Sequence, residues 1–441
     1  MASPAIRAMN DGRDGMLVVP PGANIEQLRN PSVEGSDVGR ELGRSLTMWS
    51  GHARDPLFRK DQMDIGDINQ QGVGDCWYLA ALVSIMHLTD GSNLLKKTMV
   101  DIGGGNCIVR LFDGHLQPHY LRVEKSVLWY LGTGKVHVTG LTRTGLWAAV
   151  LEKAACAMTR GATVCDPQNA NYKNIEGGQS HNAFRMLLGV NSASMGCANA
   201  NLRGGSVGRV SAGDHLSQLF GTGNWNRAIT NRGVVSANRE ALFAVFGMTV
   251  GIEQWRDYLN DLRTRRCAFL NRDLGTILQG LLAPAGTTLP PAVQAALRGY
   301  IQQHNMMSGA TGSGRYGAGV LDLFNTINSR VNSNRPVALG TKENIGPVDG
   351  YGHSAHEAQS SGMVGKHAYA VLGTFEETVG PRRKWIKVSN PWNKYGRAYT
   401  EGANLTLTPQ EQECGTFWME LSDLGGVIDN VYVADNPGRG R

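Results

Sequence analysis

Residues 77 to 88, WYLAALVSIMHL, form an almost unbroken apolar run that follows a glycine-bounded turn at 72 to 74. The run pairs helix length with good helix formers, which predicts a helix apolar on nearly every face. Such a helix has to be enclosed by other elements, so the fold must be built around it. At about a dozen residues it falls short of the ~18 or more that a membrane span needs. The expectation is therefore a soluble chain with no membrane span. The 441 residues, at roughly 100 to 200 per domain, allow two or three units with a sizeable core.

The surrounding pattern divides the chain. Residues 1–62 are rich in Gly, Pro, Asn, Asp and Arg with little apolar periodicity, which predicts an N-terminal extension, mostly loop and partly disordered. Residues 63–190 hold the apolar helix, then short β-like runs between 107 and 138 (CIVRLF, YLRVEKSVLWYL, KVHV), then a second helix, WAAVLEKAACAM, at 147 to 158. Residues 191–320 read as a mainly helical insertion. There, Gly-rich connectors bracket helical stretches at 241 to 266 and 291 to 303, the latter with Val293, Ala296, Leu297, Tyr300 and Ile301 on one face. Residues 321–441 open with a helix (321 to 334) and turn β-like at 336 to 341, 367 to 376 and 384 to 392. They close on a helix or strand pair, FWMELSDLGGVIDNVYVAD.

Composition removes several function classes. The 57 glycines, nearly twice average usage, lack the Gly-X-Y period of a collagen. A formal charge of +6 spread over this length, with no long basic run, is too dilute for a nucleic-acid footprint. Seven cysteines, an odd number without a C-x-x-C pair, fit reduced thiols better than a disulfide framework or a zinc module. The N-terminus has only a short apolar run at 16 to 20 and does not read as a Sec-type signal peptide. A cytoplasmic protein, or an effector exported by a signal-peptide-independent route, is the corresponding expectation.

The chemistry concentrates in QQGVGDCWYLAA, residues 70 to 81. Cys76 stands at the first turn of the predicted helix, where unpaired backbone N–H groups and the positive end of the helix dipole favour a thiolate. Gly72 and Gly74 permit a tight turn into the helix. Gln70, six residues upstream of the cysteine, is positioned to return an amide N–H to the space before the sulfur, where it and the Cys76 N–H would hold an oxyanion. The alternative is a small buried hydrophobe. A thiolate enzyme also needs a base, and His367 sits at the mouth of the apolar run HAYAVLGTFE. Asn390 ends a second run, KWIKVSNPW, and its side-chain carbonyl would fix the imidazole tautomer while Trp392 covers the bond from water.

The order Cys, His, Asn, each in its own local pattern, resembles the calpain-type branch of the papain-like cysteine peptidases. The matching segments are QQGVGDCW, KHAY and SNPW, with Asp67 ahead of the Gln, the LWAAVLEKAACAM helix, the pair Gly177–Gly178, and FWMELSDL near the C-terminus. The resemblance covers roughly 63 to 190 and 321 to 435. It implies an α+β, papain-like fold with a helical Cys subdomain, a β-rich His/Asn subdomain and the helical insertion. It further implies an endopeptidase acting on protein or peptide substrates, with Cys76 as nucleophile, His367 as general base and acid, Asn390 as its orienter and Gln70 as oxyanion donor. Trp77 and Trp392 would stand beside them.

The pattern also departs from the family. Gln71, Lys366 and Asn393 replace glycines. No cofactor is expected to be required. Asp67 fits one calcium-ligand position of classical calpains, but the partner acidic position is Asn182 and no EF-hand loop is present, so calcium activation is not expected. His353, His356 and Glu357 lie in a polar stretch rather than on the helix an H-E-x-x-H zinc site requires. Glu152 and Lys153 are read as a structural ion pair or hydrogen bond locking their helix. Two other functions keep the same residues: a transglutaminase-like acyl transferase, and a catalytically silent calpain-like module that binds partners.

Overall fold

The enclosed helix spans Cys76–Met86, and every residue from Trp77 to Ile85 is buried. The computed structural model describes residues 16–42, 47–59, 63–130, 135–136, 145–196, 318–341, 364–378, 384–393, 405, 407–413, 415–421 and 428–436. The expected helices at 241 to 266 and 291 to 303, and the stretch with His353, His356 and Glu357, lie outside them.

In chain order the elements are β1 (Ile25–Gln27), α1 (Asp37–Leu42), β2 (Thr47–Gly51), α2 (Cys76–Met86), α3 (Gly91–Lys96), β3 (Met99–Gly103), β4 (Asn106–Phe112), β5 (Pro118–Glu124), β6 (Ser126–Tyr130) and β7 (Lys135–Val136). There follow α4 (Trp147–Ala155), β8 (Met158–Thr159), β9 (Val164–Cys165), α5 (Ser180–Leu188), β10 (Ser192–Gly196), α6 (Ala318–Asn332), β11 (Val337–Thr341), β12 (Ala368–Glu376), β13 (Lys384–Ser389), α7 (Pro409–Glu413), β14 (Thr416–Glu420) and β15 (Ile428–Ala434). The architecture is mixed α+β. No described helix is long and apolar enough to cross a membrane.

Two bodies of structure meet at the helix α2. On one side, α2, α4 and α5 share a core with the four-stranded sheet β1-β5-β4-β3, which buries Leu79, Leu82, Val109, Leu121, Leu151 and Phe184. On the other is a six-stranded antiparallel sheet, β10-β15-β11-β12-β13-β14. Its second core packs Leu323, Phe324 and Ile327 of α6 against Trp385, Val388, Phe417 and Val433. The Ser84 hydroxyl joins the two, accepting from the Val337 N–H and donating to the Val337 carbonyl, both at 2.9 Å. A helix buried on all faces can carry that serine only because both of its hydrogen-bonding roles are met.

Two segments differ from the sequence expectation. Residues 16–42 and 47–59, expected as extension, are built into the fold. Strand β1 runs parallel to β5 and β2 antiparallel to β6, while Leu17, Leu28, Val38, Leu57 and Phe58 are buried. A three-residue strand takes its hydrogen bonds from a partner about 95 residues away, so local periodicity does not announce it. Likewise residues 192–196, expected to open the helical insertion, form the edge strand β10 along β15. The C-terminal pair β14 and β15 are both strands but occupy separate places in the sheet, with three strands between them.

Candidate active site

Cys76 is the first residue of α2, and Asp75 before it adopts the N-cap position without a side-chain cap bond. The sulfur is partly exposed, at the floor of a cleft of about 880 Å³ also lined by Gln70, His367, Trp392 and the Gly177–Gly178 pair. Burial pushes the thiol up to about 12, against the pull of hydrogen bonds from the backbone of Ala368, Trp77 and Cys76 itself. The sequence expectation was a thiolate favoured by the helix terminus. The helix does supply its N–H groups, but desolvation outweighs them.

His367 and Asn390 are placed by two paired strands. His367 immediately precedes β12, Asn390 immediately follows β13, and the strands run antiparallel with Ala370 opposite Ser389. Both side chains are buried, and His367 Nε2 lies 2.9 Å from Asn390 Oδ1. The same oxygen accepts the Trp392 backbone N–H at 3.0 Å, which fixes it as the carbonyl end of the amide. The Nε2 is therefore the protonated nitrogen, and proton exchange with a reacting group falls to Nδ1. The Trp392 ring lies 4.7 Å from the imidazole, and Tyr369 meets it edge-on at 5.0 Å. Thr341, which nothing in the sequence singled out, clamps the histidine backbone. Its hydroxyl accepts from the His367 N–H at 2.9 Å, and its own N–H donates to the His367 carbonyl.

Two of the family's glycine positions explain themselves here. Lys366 and Asn393 both have φ in the left-handed region, 54° and 53°. Glycine adopts that region freely, whereas a lysine there carries a cost of about 1 kcal/mol.

Gln70 is brought to the cleft, but its amide nitrogen donates to the Val73 carbonyl at 2.7 Å. One N–H of the group is thereby committed to holding the glycine turn, and the second remains for an oxyanion. The Gln70 backbone N–H donates to the Pro391 carbonyl at 2.9 Å, so the turn before Cys76 is tied to the Asn390 segment. The Asn393 amide makes a second tie, to the Gly66 carbonyl. Trp77 donates its indole N–H to the Ile175 carbonyl at 2.7 Å. Its ring packs so close beneath Gly178 that a Cβ there would come within 2.4 Å of it. This tryptophan shapes the cleft wall from behind.

Asp67, the candidate calcium ligand, is buried, and its Oδ2 accepts from the Trp147 indole N–H at 2.8 Å and the Asp64 N–H at 3.0 Å. Calcium requires six to eight oxygen ligands. Among the described residues no group of three or more His, Cys, Asp or Glu is arranged to hold a metal.

Glu152 and Lys153 diverge instead of pairing, since consecutive residues on a helix point about 100° apart. The Lys153 ammonium donates to the Glu124 carbonyl and the Ser126 hydroxyl and sits 4.4 Å over the Trp49 ring. Glu152 faces Asp75 in the core, and both carboxyl groups are buried. Burial first, and then the charge of Glu152, raise the Asp75 carboxyl well above its usual range. Two carboxyl groups coupled in this way are expected to share one proton. A pairing of like acids, 77 residues apart and directly behind the nucleophile, left no mark in the sequence pattern.

Comparison with known proteins finds partial relatives. No protein-family profile matches the chain. Over 87 residues it is 32% identical to the calpain-like protease palB/RIM13 of Aspergillus oryzae, a span covering 18% of this chain and 10% of that protein. Over 97 residues it is 34% identical to calpain-7 of Sus scrofa, covering 19% of this chain and 12% of that protein. The similarity is calpain-like and partial. The chain matches only about a tenth of the length of either relative.

Proposed function

We propose that the chain is a calpain-like cysteine endopeptidase with a papain-like arrangement, hydrolysing peptide bonds in protein substrates at Cys76. The reading rests above all on the buried His367–Asn390 hydrogen bond at the cleft that Cys76 floors. In this mechanism His367 Nδ1 takes the proton of the Cys76 thiol as the sulfur attacks the scissile carbonyl. The Cys76 N–H and the second amide hydrogen of Gln70 hold the oxyanion. On collapse the C–N bond breaks, the imidazolium gives its proton to the departing amine, and an acyl-thioester remains. Water then attacks the thioester, His367 takes its proton, and the acid leaves as the thiol is restored. The raised thiol makes His367 indispensable, because little thiolate exists at neutral pH without it.

Purified protein should cleave an unfolded protein into fragments with new N-termini, and Cys76→Ala should lower the rate by about a thousandfold or more. Equal cleavage by the variant defeats the proposal. Crosslinked products without new N-termini identify acyl transfer to amines instead.

A further inference from the structure

Four charged side chains line the cleft: Asp37, Arg40, Lys366 and Asp429. Asp37 and Arg40 form an ion pair with each other on the helix α1. Lys366 stands beside the catalytic histidine. Asp429 is different: its carboxylate accepts the Asn430 side-chain amide at 2.9 Å, and among the described residues it has no cationic partner. The segment leading into it, LSDLGGVI, contains no Lys or Arg. A carboxylate facing a cleft with one amide hydrogen bond and no counter-charge among the described residues is a receptor for a cation.

Strand registers place this carboxylate relative to the nucleophile. Ala368, whose backbone touches the Cys76 sulfur, pairs with Gly340 on β11, and Gly340 pairs with Asn430 on β15. Two strand spacings of ~4.8 Å put Asn430 about 10 Å from Ala368. The end of the cleft is also defined. The Tyr432 ring packs on His181, at 5.9 Å, and His181 opens the helix that follows the Gly177–Gly178 wall. Trp392 and Gln70, tied through Pro391, mark the opposite end with His367. Because His367 must reach the leaving amine, the leaving half of a substrate lies toward Trp392 and the acyl half toward Gly178 and Asp429. A bound chain advances ~3.3 Å per residue. The Asp429 backbone, next to Asn430, lies about 10 Å from Ala368, and the long side chain of a lysine or arginine on the second acyl-side residue covers the span that its backbone does not. Gly340 keeps that recess open beneath the Tyr432 hydroxyl, since a Cβ there would come within 2.8 Å of it.

Resting on the hydrolase reading, we infer that Asp429 selects substrates carrying Lys or Arg two residues before the scissile bond. The test is kcat/KM for a peptide series differing only at that position, measured on the full chain. Lys and Arg should exceed Leu by about tenfold, Asp429→Asn should erase that ratio, and Asp429→Lys should turn the preference toward Glu and Asp. Stoichiometric alkylation of Cys76 in each variant certifies a folded cleft. A second arm uses Cys76→Ala and measures binding of the same peptides by calorimetry. There the Lys peptide should bind about tenfold tighter than the Leu peptide, and the added Asp429→Asn should cancel the difference. If wild-type protein cleaves nothing but the binding preference holds, the hydrolase reading fails and the assignment of Asp429 stands. A Lys-to-Leu ratio near one, or one that Asp429→Asn leaves intact, overturns the assignment.

Discussion

At the residue scale the site turns on groups whose charge the surroundings decide. Burial raises the Cys76 thiol, and burial together with the charge of Glu152 raises the Asp75 carboxyl behind it. For Asp75 the sign of the pH effect follows from the direction of the shift. A carboxyl raised in the folded state contributes its stability in full below the unfolded value near 4, and loses it as pH rises through the folded value. Asp75→Asn keeps the shape and donates an N–H to Glu152 in place of the shared proton. Urea unfolding from pH 4 to 8 should show the wild type losing about 1 kcal/mol or more relative to this variant as pH rises. Parallel stability curves would remove the shared proton from the account. Cys76, Gln70, His367 and Asn390 were legible as candidates because each carries its chemistry within a short segment. Thr341, Asp429 and the Asp75–Glu152 pair were not, because their roles arise from partners tens of residues away.

At the element scale, the enclosed helix was the easiest feature to read and the most consequential. An apolar run of that length has one solution in water, and the structure wraps α2 between two cores through Ser84 and Val337. The strands β12 and β13, expected as neighbours from the short turn between them, do pair. The strands β1, β2 and β10 escaped notice because short edge strands depend on their partners for hydrogen bonds and carry little apolar period of their own. The cleft wall shows the same dependence between elements. Gly178 faces the Trp77 ring, and neither the ring, pinned by Ile175, nor the backbone has room to yield. Gly178→Ala should cost about 1–3 kcal/mol, as overpacked sites do, lower the melting temperature by several degrees and raise KM more than it lowers kcat. An unchanged melting temperature and KM would mean that the wall is not held by this contact.

At the scale of the whole molecule, Cys76 and the His367–Asn390 pair come from different bodies of structure. Cys76 belongs to the helix that heads one core, and His367 and Asn390 belong to the six-stranded sheet that forms the other. They are held in register by the Gln70–Pro391 and Asn393–Gly66 ties and by the Ser84 bridge. The N-terminal residues 16–42 and 47–59, which composition made look dispensable, complete the first core. The α+β class was legible because helix and strand patterns alternate along the chain. The joining of its two bodies was not, because it rests on main-chain hydrogen bonds that any sequence can make. Sulfur and imidazole, delivered from these two bodies, are proposed to act as one unit. The most direct measurement is the rate at which a thiol-reactive epoxide labels the protein at pH 7, read by intact mass and peptide mapping. Cys76 should be labelled ahead of the buried Cys107 and Cys156, with His367→Ala slowing it by about a hundredfold. Labelling of Cys76 at the same rate in both proteins, or no faster than that of Cys107 and Cys156, would contradict that proposal.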